Sequence, residues 1–196
     1  ARLIERQADG SYAVVRGFTG AMHPYGCDDE FYGGQVDIGG NHVAIGGPEA
    51  YLFTNTSGAS WDRLLVPTPA ASPTGFGENE KVALSGDTLL VTAPPTQGGP
   101  YIFLPPYQQS SGNLSRPDAL SAGRIGDLVL RNSVALVPSF DDPERARFAG
   151  SIGVFTSSDN RNFTYSAKLV TSDAQSTGFG GGDVGNHGRK VVASAG

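Results

Sequence analysis

The sequence predicts an all-β chain, a β-propeller built from four-stranded antiparallel blades. Three observations carry that expectation. A hairpin pattern recurs four times along the 196 residues, and a short aromatic-ended strand follows each of the first three copies. The third is composition: 28 Gly and 13 Pro in a chain that is 38% hydrophobic, with ten Phe and seven Tyr. Glycine at that level, in a composition rich enough to fold, means many tight turns between short strands. No stretch shows helical periodicity.

The hairpins come first. "VDIGGNHVAIGGP" (36–48), "VALSGDTLLVTAP" (82–94), "LVLRNSVALVP" (128–138) and "DVGNHGRKVVASAG" (183–196) each alternate apolar residues around a polar turn. Period-two alternation about a turn that tolerates positive φ specifies a β-hairpin. The expected turn pairs are Gly40-Asn41, Gly86-Asp87, Arg131-Asn132 and Gly188-Arg189. Third strands follow at "AYLF" (50–53), "PYIF" (100–103) and "IGVF" (152–155). After the polar stretches "TNTSGAS", "PPYQQSSGNLS" and "TSSDNRN", a fourth strand is expected at "WDRLLV" (61–66) and "TYSAKLV" (164–170). The middle copy is weaker and is placed near "RPDALSA" (116–122). Four strands repeated at this length mark propeller blades.

The ends are complementary. "ARLIERQADGSYAVVRGFTG" (1–20) reads as strand, Asp-Gly turn, strand, the third and fourth positions of the unit. Residues 183–196 carry only the first and second. The expected organisation is a half-blade at 1–20, blades at about 31–70, 76–120 and 122–173, and a half-blade at 178–196. Three arrangements are open. The chain is an arc of a longer propeller, or it closes as four blades by pairing 1–16 with 179–196, or those halves pair between molecules, head to tail, into a fibre. A strand edge with unpaired N–H and C=O groups demands a partner, and an end-to-end contact either closes or propagates. With no initiator Met and no signal peptide at its start, the chain is expected to be mature, processed or excised.

"TGFGENEKVALSGDTLLVTAP" (74–94) with "PYIF", and "SIGVFTSSDNRNFTYSAKLVTSDAQSTGFG" (151–180), resemble the phenylalanine-glycine/glycine-alanine-proline (FG-GAP) repeat family of integrin α-chain heads and bacterial surface proteins. The resemblance covers nearly all of the chain, with 17–30 and 104–121 fitting least. It implies a propeller scaffold with protein, extracellular-matrix or glycan partners. Integrin-type repeats often carry an Asp-x-Asp-x-Asp-Gly calcium loop, and that spacing is absent here. The family's cation sites are therefore not carried over, and no cofactor or metal is expected. "CDDE" (27–30) and "FDDPE" (140–144) read as solvated loops, with adventitious Ca²⁺ as the alternative.

A net charge of −5 with scattered Lys and Arg argues against nucleic acid as a partner. No apolar run approaches the roughly 20 residues that span a bilayer. Cys27, the single cysteine, is a free thiol or pairs with a residue of another chain. His23, His42 and His187 lack partners at metal-ligand spacing and are expected at turns or on the surface. No G-x-S-x-G elbow occurs, and "GFGGGDVG" (178–185) precedes strands rather than a helix N-terminus.

Three Asn-x-Ser/Thr sequons start at Asn55, Asn113 and Asn162, all expected between third and fourth strands on the outer rim. They predict a secreted glycoprotein. The alternative is that polar hairpins generate such triplets unused. "PTPAASP" (67–73) and "LPPY" (104–107) are candidate sites for hydroxyproline or O-linked sugar. Tyr51, Phe53, Phe76, Tyr101, Phe103, Phe155, Tyr165, Phe179 and Trp61 are expected between blades, where each buried ring contributes about 2–3 kcal/mol. Trp61 is also the candidate platform for a partner. The expected function is a non-enzymatic extracellular structural or adhesion module. A glycan-binding lectin is the first alternative, and a segment of a secreted hydrolase or lyase the second.

Overall fold

The computed structural model describes residues 1–18, 35–47, 50–57, 60–66, 81–92, 99–115, 125–139 and 151–170. Among these residues every regular element is a strand, and all pairing is antiparallel. An N-terminal hairpin pairs β1 (Arg2–Arg6) with β2 (Tyr12–Gly17). Three four-stranded sheets follow, each a meander in chain order. The first contains β3 (Gln35–Gly39), β4 (His42–Gly46), β5 (Tyr51–Asn55) and β6 (Trp61–Leu65). The second contains β7 (Val82–Ser85), β8 (Thr88–Val91), β9 (Tyr101–Phe103) and β10 (Ser110–Asn113). The third contains β11 (Val129–Arg131), β12 (Val134–Ser139), β13 (Ser151–Thr156) and β14 (Thr164–Leu169).

One turn geometry opens each sheet. Gly40, Gly86 and Asn132 occupy the same turn position with φ of 56°, 57° and 49°. Left-handed backbone is open to glycine without a Cβ clash and is tolerated by asparagine. The third turn is therefore Asn132-Ser133, not Arg131-Asn132, since Arg131 is still in the ladder opposite Val134. The asparagine has to take the glycine's place, and this shifts the turn by one residue.

A second correction concerns the middle unit. Its fourth strand is β10, Ser110–Asn113, inside the stretch read as a polar rim and ahead of 116–122. The loop Leu104–Gln109 reverses the chain early, with Tyr107 at φ 62° and its N–H on the Leu104 carbonyl. Polar side chains on both faces of "SSGN" hid the strand, which is the exposed outer edge of its sheet.

The N-terminal hairpin has the construction of the second half of a sheet. The carbonyl that opens the third strand accepts from the amide just past the fourth strand in two sheets, Ala50 from Val66 (2.9 Å) and Pro100 from Leu114 (2.8 Å). Ala1 accepts from Phe18 in the same way, at 2.8 Å. β1 and β2 thus stand where β5 and β6 stand in the first sheet.

Apolar layers join the units. Ala44 and Leu52 of the first sheet pack with Val82, Leu84 and Phe103 of the second. Leu90 and Ile102 of the second pack with Leu130, Val137 and Phe155 of the third. Phe18 of the N-terminal hairpin packs with Val43, Tyr51 and Phe53. Alternate residues of β4 and β8 therefore face different neighbours, so "HVAIG" and "TLLV" are buried throughout. A strand covered on both faces reads as a continuous apolar run.

Of the rings expected between units, Tyr51, Phe53, Phe103 and Phe155 are buried, and Tyr101, Trp61 and Tyr165 are half-buried against the same clusters. Phe76 and Phe179 lie outside the described residues, as do the half-blade 178–196, Cys27, His23, His187 and both acidic clusters.

Candidate functional site

The first strands of the three sheets lie side by side, and their backbone edges are joined by side chains rather than by a ladder. Asp37 Oδ2 accepts from Leu84 N at 2.9 Å, and Gln35 Oε1 accepts from Val82 N at 3.2 Å. Ser85 Oγ accepts from Asn132 N at 2.9 Å. All three bonds span 47 positions. Gln35 also reaches the third sheet, donating from Nε2 to Leu128 O (2.9 Å) and accepting from Leu128 N (3.3 Å). Lys81 and Asp127, at the corresponding position of the next two sheets, form an ion pair at 3.4 Å. The contacts of Asp37, Gln35 and Ser85 satisfy edge amides that would otherwise be unpaired. Gly39 marks how closely β3 approaches the second turn, since a Cβ there would sit 3.2 Å from both Gly86 N and Leu84 Cγ.

The same register positions behave differently on the other side of the first sheet. Val82 and Leu84 are 0% and 1% exposed, and Leu128 and Leu130 are 3% and 1%. Their counterparts in β3, Val36 and Ile38, are 47% and 54% exposed. The third-strand position held by Phe53, Phe103 and Phe155, all buried, is Ile4 in β1 at 57%. Val36 and Ile38 are left uncovered on the side of the N-terminal hairpin, while Ile4 is turned to the opposite side of that hairpin from Leu3, which packs on the first sheet. This open face is the candidate site for a macromolecular contact, and period-two alternation alone could not reveal it.

The turn-bearing end of the sheets carries the polar groups. There the loop after the third strand of one unit reaches back to the start of the second strand of the unit before. In the second sheet the residue that reaches is Tyr107, whose hydroxyl donates to Asp87 O (3.0 Å) and lies 3.5 Å from His42 Nε2. His42 Nδ1 lies 2.9 Å from Thr54 Oγ1, and Asp87 Oδ1 is 3.5 Å from Nε2. Burial, and then the Asp87 charge, pushes the Tyr107 phenol up to about 12. His42 is therefore buried as part of an inter-sheet lock and is not the surface residue the turn led us to expect.

In the third sheet the equivalent reach is made by Asn160, at φ 58°, whose carbonyl accepts from Thr88 Oγ1 at 2.6 Å. Its loop is built on Asp159. That carboxylate accepts from the amides of Asn162 (2.8 Å) and Arg161 (2.9 Å), from Asn162 Nδ2 (2.7 Å) and from Ser157 Oγ (2.9 Å). Hydrogen bonds to its charged form, from Asn162 first, hold it well below the usual carboxylate range. A pocket of about 450 Å³ opens between the two loops, lined by Ser85, Asp87, Thr88, Ser111 and Arg161 among others.

The sequons divide. Asn55 ends β5 and Asn162 sits in the β13–β14 loop, both at the turn-bearing end. Asn55 N donates to Asn41 O at 2.8 Å, tying that loop to the first turn. Asn113 ends the fourth strand β10 opposite Tyr101, at the other end of its sheet, so the expectation of three equivalent rim positions is corrected to two. Its Oδ1 accepts from Ser115 Oγ at 3.1 Å, within the sequon itself. Trp61 opens β6, half-buried, and meets Phe18 edge-on with centroids 5.4 Å apart. It closes the layer under the N-terminal hairpin. Among the described residues no group of three or more His, Cys, Asp or Glu is placed to hold a metal ion, and no helix is long and apolar enough to cross a membrane.

Neither the protein-family models nor the curated proteins contain a match to this chain.

Proposed function

We propose that this chain is a non-enzymatic extracellular structural or adhesion module, a propeller-type array of FG-GAP-like repeats that meets other copies head to tail at the uncovered face of β3. The observation that carries this reading is the open face. The N-terminal hairpin is built as half a sheet, and the positions left uncovered beside it are the ones buried at the other two seams. Adhesion and structural roles need a rigid surface, not a reaction centre, and side-chain bridges between sheets supply rigidity. The exposed Asn162 and Asn113, and Asn55 at the end of β5, support secretion and glycosylation. Release of N-glycans by an amidase, with a mass shift for each converted Asn, tests that part.

Light scattering and electron microscopy on one native sample test the assembly. Regular polymers are expected. A uniform particle of single-chain mass overturns the reading.

A second reading, a glycan-binding module, draws on the pocket between the loops. Its hydroxyls, together with Asp87 and Arg161, match hydroxyl-rich ligands. A glycan array with Asp87→Ala as control tests it, and loss of a positive signal in that variant is the expected result.

A further inference from the structure

We infer that the pocket between the second and third sheets is a subsite for an acidic sugar, with Arg161 holding its carboxylate and Asp87 its ring hydroxyls. The inference rests on the glycan-binding reading above and adds the class of sugar and the role of each wall.

Two pinned loops form the walls. On one side the β7–β8 turn places Gly86 at φ 57°, and Ser85 Oγ accepts from Asn132 N at 2.9 Å. On the other side is the β13–β14 loop. Thr88 Oγ1 donates to Asn160 O at 2.6 Å and ties the two walls together. Leu104, Pro105 and Ser111 of the second sheet complete the lining. The volume of about 450 Å³ falls within the roughly 300–1,000 Å³ of small-ligand sites.

The hydrogen bonds already made decide which groups are left for a ligand. Asp159 lines the pocket, but its carboxylate accepts from two amides and two side chains of its own loop. It serves as a scaffold that sets the neighbouring residue. Arg161 N is held on Asp159 Oδ1 at 2.9 Å, while its side chain is exposed along the pocket. Among the described residues that guanidinium enters no ion pair. Its planar fork presents two parallel N–H groups, the geometry that a carboxylate accepts.

The opposite wall suits hydroxyls. The Asp87 side chain is 73% exposed, and only its Oδ1 faces His42, at 3.5 Å, so Oδ2 is left to accept. Ser85 accepts from Asn132 N and keeps its own O–H to donate, and Ser111 adds a second hydroxyl. Leu104 and Pro105 offer an apolar patch for the C–H face of a ring. Asp87 and Arg161 stand on different sheets and are not paired with each other. One carboxylate, several hydroxyls and one apolar face describe a uronate or sialate residue. The chain's net charge of −5 opposes any general attraction of polyanions, so binding has to come from this local contact.

The test places the full-length chain on an array of uronate- and sialate-bearing oligosaccharides, each printed beside its carboxyl-reduced twin. Acidic members are expected to bind about tenfold more tightly than their twins, and Arg161→Gln should erase that margin. The thermal midpoint of this variant should match the parent's, since the main-chain bonds of the loop remain. Equal binding of acidic members and twins, or a margin that survives Arg161→Gln, overturns the inference and leaves the glycan-binding reading standing. Binding to no member overturns both. As a second variant, Ser111→Trp fills the pocket from its β10 side and should remove the acidic signal. Acidic binding that survives this change overturns the pocket as the seat.

Discussion

The two sides of the first sheet are built from one repeated pattern, yet one is sealed and the other open. Toward the second sheet, Asp37 and Gln35 take up the amides of β7, and Val82 and Leu84 are fully covered. Toward the N-terminal hairpin, Phe18 and Leu3 cover β4 and β5 but leave β3 bare. The difference teaches that burial at these positions is set by what lies alongside, not by the strand's own sequence. Alternation specifies a strand and its faces, and only the neighbour determines whether a face is core or interface.

The largest expected effect breaks the sealed side. Leu84→Ala removes a fully buried side chain from the first seam and should cost about 2–5 kcal/mol in chemical denaturation. The matching change on the open side, Ile38→Ala, should stay within about 0.5 kcal/mol for the single chain. Equal costs at the two sites would remove the distinction between them.

Next come the polar bridges. Asp37→Ala leaves the Leu84 amide without its acceptor and should cost about 1–3 kcal/mol. Asp37→Asn keeps an acceptor oxygen and should recover most of that loss. Both are read from urea melts.

A smaller effect tests the turns. Asn132→Ala places a Cβ-bearing residue without a side-chain amide at φ 49° and should cost about 1–2 kcal/mol, while Asn132→Gly should be close to neutral. Thermal midpoints of the two variants separate these outcomes.

The smallest effect concerns the inter-sheet lock. The Tyr107 phenol titrates at about 12 in the fold against 10.0 ordinarily, so the fold favours its neutral form. Its contribution is complete below pH 10 and is lost as pH rises through 10 toward 12. Tyr107→Phe should flatten that alkaline loss in pH-dependent melts, and an unchanged profile would mean that other groups cause it.

Much of this architecture was legible in the sequence, and the reasons are local. Gly40 and Gly86, each followed by a polar residue and a buried apolar run, mark hairpins whatever the surroundings. The aromatic third strands read clearly because Phe53, Phe103 and Phe155 fill one repeated position. β10 was misplaced because "SSGN" forms its strand on ladder hydrogen bonds alone, with no apolar face to betray it. His42 was misjudged because its burial depends on Tyr107, 65 residues on. The open face was hidden for the same reason. Val36 and Ile38 look like Val82 and Leu84 until their neighbours are placed.

Amide hydrogen exchange on the native assembly and on single chains carrying Ile38→Arg tests the central claim most directly. If the open face is an assembly surface, peptides covering Arg2–Arg6 and Gln35–Gly39 exchange much more slowly in the assembly, while Val82–Ser85 is protected in both. Equal exchange of β1 and β3 in the two samples would contradict the account.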